Sequence, residues 1–135
     1  MANVRQVTHF TLGIEDAVGS GARVLESLRS VNLIAVWGYS MGSGKATLEI
    51  APEDPDAFVA AAKAANIEVG EPSTVFYLTG DDRPGTVADT LGKLAGAGVS
   101  IGAAQGIADG RGHFGAMIYV AATDVAKVAS VLGAS

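Results

Sequence analysis

Cysteine is absent from this 135-residue chain, which excludes disulfides and thiolate chemistry and fits a reducing compartment. Long apolar runs are missing too. None approaches the roughly 20 residues of a membrane-spanning helix, and residues 1–13 lack the charged and then apolar segments of a secretory signal. Only 17% of residues are charged and 6% aromatic. Nine Lys and Arg against 14 Asp and Glu give a net charge of −5, with no basic stripe to meet a phosphate backbone. The only histidines, His9 and His113, show no metal-ligand spacing. The expectation is a soluble, cytoplasmic protein with no nucleic-acid or membrane partner, no metal and no cofactor.

What the chain does contain is a repeat. A shift of 66 positions lays Leu12, Asp16, Gly19, Ala22, Leu25 and Leu28 onto Leu78, Asp82, Gly85, Ala88, Leu91 and Leu94. After a four-residue slip, Ala46, Ala51 and Asp54 fall over Ala116, Ala121 and Asp124. A period this long is a whole folding unit rather than a solenoid element, so the chain divides into module 1 (residues 1–71) and module 2 (residues 72–135). Each is marginal alone, because a domain near 60 residues buries only about 60% of its unfolded surface.

In the first copy, residues 4–12 are rich in β-formers, and 17–30 carry Val18, Ala22 and Leu25 at helical spacing. Residues 33–37 and 46–50 flank Gly42-Ser43-Gly44 and read as a hairpin. Asp54-Pro55 marks a helix start, with Phe58, Ala61, Ala62 and Ala65 on one face, and residues 67–69 form a closing strand. The second copy repeats the order: strand 75–79, helix 84–97, a hairpin from 100–108 and 114–121 with a longer turn, and a last helix capped by Thr123 or Asp124. Nothing after Gly133 supplies a fourth strand. The edge at Val75–Leu78 would then be bare, which invites association, so a covering strand is expected, either 67–69 folding back or a second subunit.

Three motifs suggest chemistry. Gly38-Tyr39-Ser40-Met41-Gly42 fits the Gly-x-Ser-x-Gly elbow of hydrolases, with Asp81, Asp82 or Asp109 and His113 as candidate partners, so a small serine hydrolase is a distant alternative. The elbow needs a helix directly after the serine, and residues 46–50 alternate like a strand, so the segment reads as a hairpin turn. Gly44-Lys45 is a near miss to a P-loop, with Ala46 where Ser or Thr is needed. Gly110-Arg111-Gly112-His113-Phe114-Gly115 fits Gly-x-Gly-x-x-Gly, but a strand follows where a dinucleotide site needs a helix. No catalytic residue is assigned.

The strand–turn–helix segment Thr79-Gly80-Asp81-Asp82-Arg83-Pro84-Gly85 looks most like a binding site. Pro84 presets a helical turn and Gly85 permits close approach to the backbone. Amides at a helix start favour a carboxylate, while Asp81 or Asp82 could either cap them or hold an ammonium. Both demands together describe an α-amino acid.

Asp82-Arg83-Pro84-Gly85, with Leu91, Leu94 and Gly98-Val99-Ser100-Ile101, resembles the ACT domain, a family of βαββαβ amino-acid-sensing modules. The repeat extends the resemblance to Asp16-Ala17-Val18-Gly19 and residues 25–34. The resemblance implies an α+β fold of two ferredoxin-like βαββαβ modules in tandem, antiparallel sheets with helices on one face, the second module lacking its last strand. It also implies a non-catalytic regulatory protein that pairs as a homodimer and binds a small-molecule effector where the turn of one module faces its neighbour. The implied ligand residues are Asp81, Asp82, Arg83, Pro84, Gly85, Ser100 and Ile101, with Asp16 and Gly19 in the first copy. In serine-sensing members the polar contacts fall at the positions of Asp82 and Ser100, the former commonly Asn. The alternative is a ligand-free structural or regulatory subunit of an amino-acid biosynthetic enzyme.

Overall fold

A computed structural model describes residues 2–135. The fold is α+β, with strands β1 (Asn3–Glu15), β2 (Leu33–Gly42), β3 (Lys45–Pro52), β4 (Ser73–Asp81), β5 (Ile101–Ala108) and β6 (His113–Val120). Helices α1 (Ser20–Ser27), α2 (Pro55–Ala64), α3 (Thr86–Gly96) and α4 (Val125–Leu132) lie between and after them. The strands are hydrogen-bonded in the order β2-β3-β1-β4-β6-β5. None of the described helices is long and apolar enough to cross a membrane.

Two compact units emerge: Thr8–Ser73, and Thr74–Ser135 together with residues up to Val7. In the first, alternate residues Phe10 and Leu12 on β1 and Leu48 and Ile50 on β3 pack with Leu28, Phe58 and Ala62, the period-two pattern of a sheet with helices on one face. The Phe10 and Phe58 rings meet at 4.8 Å. In the second, Phe76, Leu78, Ala116 and Ile118 pack with Leu94, Val99 and Val128. Fully burying side chains of this size contributes about 1.5–3 kcal/mol each.

The strand that completes the second unit comes from the other end of the chain. Among the described residues β4 neighbours β1, and the part of β1 belonging to this unit ends at Val7. Val4 is buried in its core. The segment is clasped by Ser135, whose N–H donates to the Val4 carbonyl (3.2 Å) and whose carbonyl accepts from the Gln6 N–H (2.9 Å). Neither expected cover for β4 is needed. Residues 67–69 are not a strand; Ile67 and Val69 instead pack on the first unit's core.

Register also corrects the repeat. Ile14 faces Ala46 and Gly80 faces Phe114, so Ala46 corresponds to Phe114 rather than to Ala116. The hairpins have equal turns, crossing from Ser40 to Ala46 and from Ala108 to Phe114. Gly42-Ser43-Gly44 is therefore the counterpart of Gly110-Arg111-Gly112, and all four glycines have positive φ. The two motifs that suggested a hydrolase elbow and a dinucleotide loop share one turn geometry in two copies. Half of the four-residue slip enters after the first helix of each copy. The rest enters before the last helix, where Ala122–Asp124 form a 3₁₀ turn and no side chain caps α4.

Helices α1 and α3 start later than their apolar patterns predict. Gly19 (φ 83°) and Gly85 (φ 84°) are left-handed, a conformation that a right-handed helix cannot contain. Asp54 does cap α2, its carboxylate accepting from the Ala57 N–H at 3.1 Å.

Val4→Ala should cost about 1.5–2.5 kcal/mol in urea unfolding, the loss of two buried methyl groups and the void they leave. Val18→Ala, at a fully exposed side chain, should change stability by less than about 0.5 kcal/mol. Equal midpoints for the two variants would remove the N-terminal strand from the core.

Candidate functional site

The strand-to-helix turn is built the same way in both copies. The Asp16 N–H donates to the Gly44 carbonyl and the Asp82 N–H to the Gly112 carbonyl, each at 2.9 Å. Each turn is thus tied to the hairpin tip of its own unit. The left-handed glycine then redirects the chain, and the first helical bonds follow from Arg23 N–H to Gly19 O (2.9 Å) and from Asp89 N–H to Gly85 O (2.8 Å). No side chain caps α1 or α3, so Asp81 and Asp82 leave the start of α3 open. A Cβ at Gly85 would meet nothing within 4 Å. At Gly19 it would lie 3.0 Å from the Arg23 guanidinium.

The expected site residues divide by position. Asp81, at the end of β4, faces His113 across the ladder; Asp82, Arg83, Pro84 and Gly85 follow it in the exposed turn. The Arg83 carbonyl accepts from the Thr86 hydroxyl at 3.0 Å. Ser100 precedes β5, and Ile101 pairs with Val120 and packs on the core. Asp16 accepts from the Ser40 hydroxyl at 2.7 Å. Ser40 lies within β2 and a turn and strand follow it, not the helix an elbow requires. Among the described residues no three His, Cys, Asp or Glu side chains are grouped to hold a metal. The chain carries no catalytic arrangement at the motifs that suggested one.

No protein-family model matches the chain, and no curated protein does. Solved structures do. Protein BT0572 from Bacteroides thetaiotaomicron is 25% identical, with a TM-score of 0.77 over 98% of this chain and 88% of that one. The ligand-free regulatory subunit of aspartate kinase from Thermus thermophilus is 14% identical, with a TM-score of 0.64 over 98% and 94%. Aspartate kinase from Clostridium acetobutylicum is 16% identical, with a TM-score of 0.54 over 96% of this chain and 33% of that one. The chain has the tandem ACT-type fold.

Within one module, the two halves of the implied effector site are far apart. Asp81 pairs with His113 at one end of the sheet, whereas Ile101 pairs with Val120 at the other. Along β5 the separation is roughly 20 Å at about 3.3 Å per residue. The turn and the Ser100–Ile101 segment of a single module therefore cannot grip one small ligand together.

Sequence reading missed a polar cluster on the helix-free face of the first module. The Glu49 carboxylate accepts from the Thr11 hydroxyl, from Tyr39 OH (3.0 Å) and from His9 Nε2 (3.1 Å). Because a carboxylate only accepts, Nε2 carries the proton of the neutral ring. His9 Nδ1 is then the acceptor for the Ser73 hydroxyl at 2.9 Å. The ring is buried and stacked on Trp37, with centroids 6.0 Å apart. Burial holds its pKa below the ordinary value, outweighing the attraction of Glu49. The odd-numbered alternation of His9 and Thr11, and of Trp37 and Tyr39, was a signal for one shared face. Their meeting at Glu49 depends on strand register. In the second module the backbone amides of Arg111 and His113 hold the Asp109 carboxyl below its usual range, which fixes that hairpin tip.

Since the folded chain disfavours a charged His9, the unfolded chain takes up the extra proton more readily below its ordinary value of about 6.5. The contribution of His9 is full above that pH and declines as the pH falls. The urea midpoint should drop between pH 7.5 and 5, and His9→Gln should reduce the drop. Identical pH dependence in both proteins would show that His9 takes no part.

Proposed function

We propose that this chain is a regulatory subunit of an aspartate-kinase-like enzyme of amino-acid metabolism. The observation carrying this reading is the match over 94% of the Thermus thermophilus regulatory subunit, a chain of comparable extent. The match to one third of the Clostridium acetobutylicum kinase fits a regulatory rather than a catalytic role. Regulation requires that the partner's active and inactive states bind the subunit with different free energies.

A second reading is favoured by the uncapped start of α3 beside Gly85. The turn Asp82–Gly85 would take an amino-acid effector, its carboxylate on the helix-start amides and its ammonium near Asp81 or Asp82, with Asp16 and Gly19 as the first module's counterpart. Ser100 and Ile101 would then come from a different module. Pairing of two copies fits this reading, because the edge strand β5 contains neither proline nor charge and Ile107 on it is 79% exposed. Exposed edges of that kind favour association.

The purified chain mixed with the aspartate kinase catalytic subunit of the same organism should co-elute in gel filtration and change kinase activity or its feedback inhibition several-fold. Independent elution with unchanged kinetics would refute the subunit reading. The effector reading is tested by thermal shift against the twenty amino acids. A ligand at 100 times its Kd adds about 2.7 kcal/mol, and Gly85→Val should remove that gain. No shift with any amino acid would count against an effector.

A further inference from the structure

From the hydrogen-bonded chain Ser73–His9–Glu49 in the first unit, we infer that Ser73 is a nucleophilic serine and a site of covalent acylation. The donors it suits are those whose leaving groups depart without acid help: aryl esters, thioesters or acyl phosphates. The Ser73 hydroxyl donates to His9 Nδ1 at 2.9 Å, and His9 Nε2–H donates to the Glu49 carboxylate at 3.1 Å. Hydroxyl, imidazole and carboxylate thus stand in the order of a serine relay, with the two ring nitrogens exchanged relative to the usual Ser–His–Asp arrangement. The exchange leaves the chemistry intact, because in a neutral imidazole either nitrogen can accept a proton while the other donates.

Access is divided as the reaction needs. Ser73 is exposed at the start of β4, whereas the His9 ring is buried and stacked on Trp37. Burial lowers the His9 pKa, so at neutral pH the ring is uncharged and the Nδ1 lone pair faces the serine proton. Glu49 is itself held by the Thr11 and Tyr39 hydroxyls. It orients the ring and stabilises the imidazolium that forms as the proton arrives. In the step, Ser73 Oγ attacks the acyl carbon and its proton passes to His9 Nδ1. The bond to the leaving oxygen or sulfur breaks with its electron pair, and the departing anion then takes the proton, which restores the neutral ring.

The repeat shows that the fold does not require this chain of polar groups. Phe10 pairs with Ile50 as Phe76 pairs with Ile118, so the second copy has Val75 at the place of His9 and Met117 at the place of Glu49. Both are buried. Apolar packing fills there what the first copy fills with polar groups that lose hydration. Ser40 provides a second contrast: its hydroxyl donates directly to Asp16 at 2.7 Å, and a carboxylate is a far weaker base than an imidazole.

The full chain should be mixed with p-nitrophenyl acetate, quenched at intervals and digested, with the acetyl occupancy of each serine read by mass spectrometry. Ser73 should react at least about a hundredfold faster than Ser40 or the exposed Ser43, the scale of general-base assistance. A fluorophosphonate probe, whose adduct water does not remove, should mark the same serine. The Ser73 rate should fall with pH as His9 gains a proton, with a midpoint below the ordinary imidazole value of about 6.5. Glu49→Gln should slow labelling at least about tenfold and move that midpoint down, because the attraction of Glu49 raises the His9 pKa. His9→Gln should reduce Ser73 to the rate of Ser43; if that buried substitution unfolds the chain, the pH profile of the natural protein decides. Equal labelling of Ser73 and Ser43 by both reagents, or a Ser73 rate with no imidazole midpoint, would overturn the proposal. Either result leaves the subunit and effector readings untouched, since none of the three residues belongs to the strand-to-helix turns.

Discussion

The peptide groups along the open edge of β4 need partners, and the chain meets that need with its own N-terminal residues. An edge of unpaired N–H and C=O groups beside apolar side chains such as Val75 and Phe76 is both costly and adhesive. β1 is 13 residues long, well above the usual five or six, and its first part is counted with the second unit. Val4 then fills the core, and Ser135 bonds back to Val4 and Gln6. A module that reads as incomplete along the sequence is completed by the residues farthest from it in the chain.

The duplicated turn is the second constraint. A chain leaving β1 or β4 must reverse into a helix within a few residues, and a left-handed glycine does this at little cost. The matching bonds from Asp16 to Gly44 and from Asp82 to Gly112 hold the reversal to the hairpin tip, which depends on its own left-handed glycines. This shared purpose explains why motif-like glycine patterns occur at Gly38–Gly44 and Gly110–Gly115 without the chemistry such patterns carry elsewhere.

Against this common frame, the copies differ where the frame does not constrain them. The first unit has a helix-free face organised around Glu49, His9 and Trp37. The second has charged residues along one side of α3 and a tip fixed by Asp109. Core positions are more alike: Phe10 and Phe76, Leu12 and Leu78, and Leu28 and Leu94 are identical pairs. Packing thus preserves the duplication while surfaces diverge, because buried positions are constrained by their neighbours and exposed ones are not.

Most of the architecture was legible in the chain itself. The 66-residue offset, the alternation in the strands, the Asp54-Pro55 helix start and the Asp82–Gly85 turn are local patterns, each governed by side chains and dihedrals within a few residues. They define two α+β modules, four helices and the position of the strand-to-helix turn. What closes β4, which residues correspond across the hairpins, why Asp82 and Ser100 lie at opposite ends of one sheet, and which groups meet at Glu49 or beside α3 were decided only by the tertiary structure. The physical reason is register. Strand pairing joins residues tens of positions apart, and a shift of one residue would turn every side chain to the other face, so no local pattern specifies those meetings.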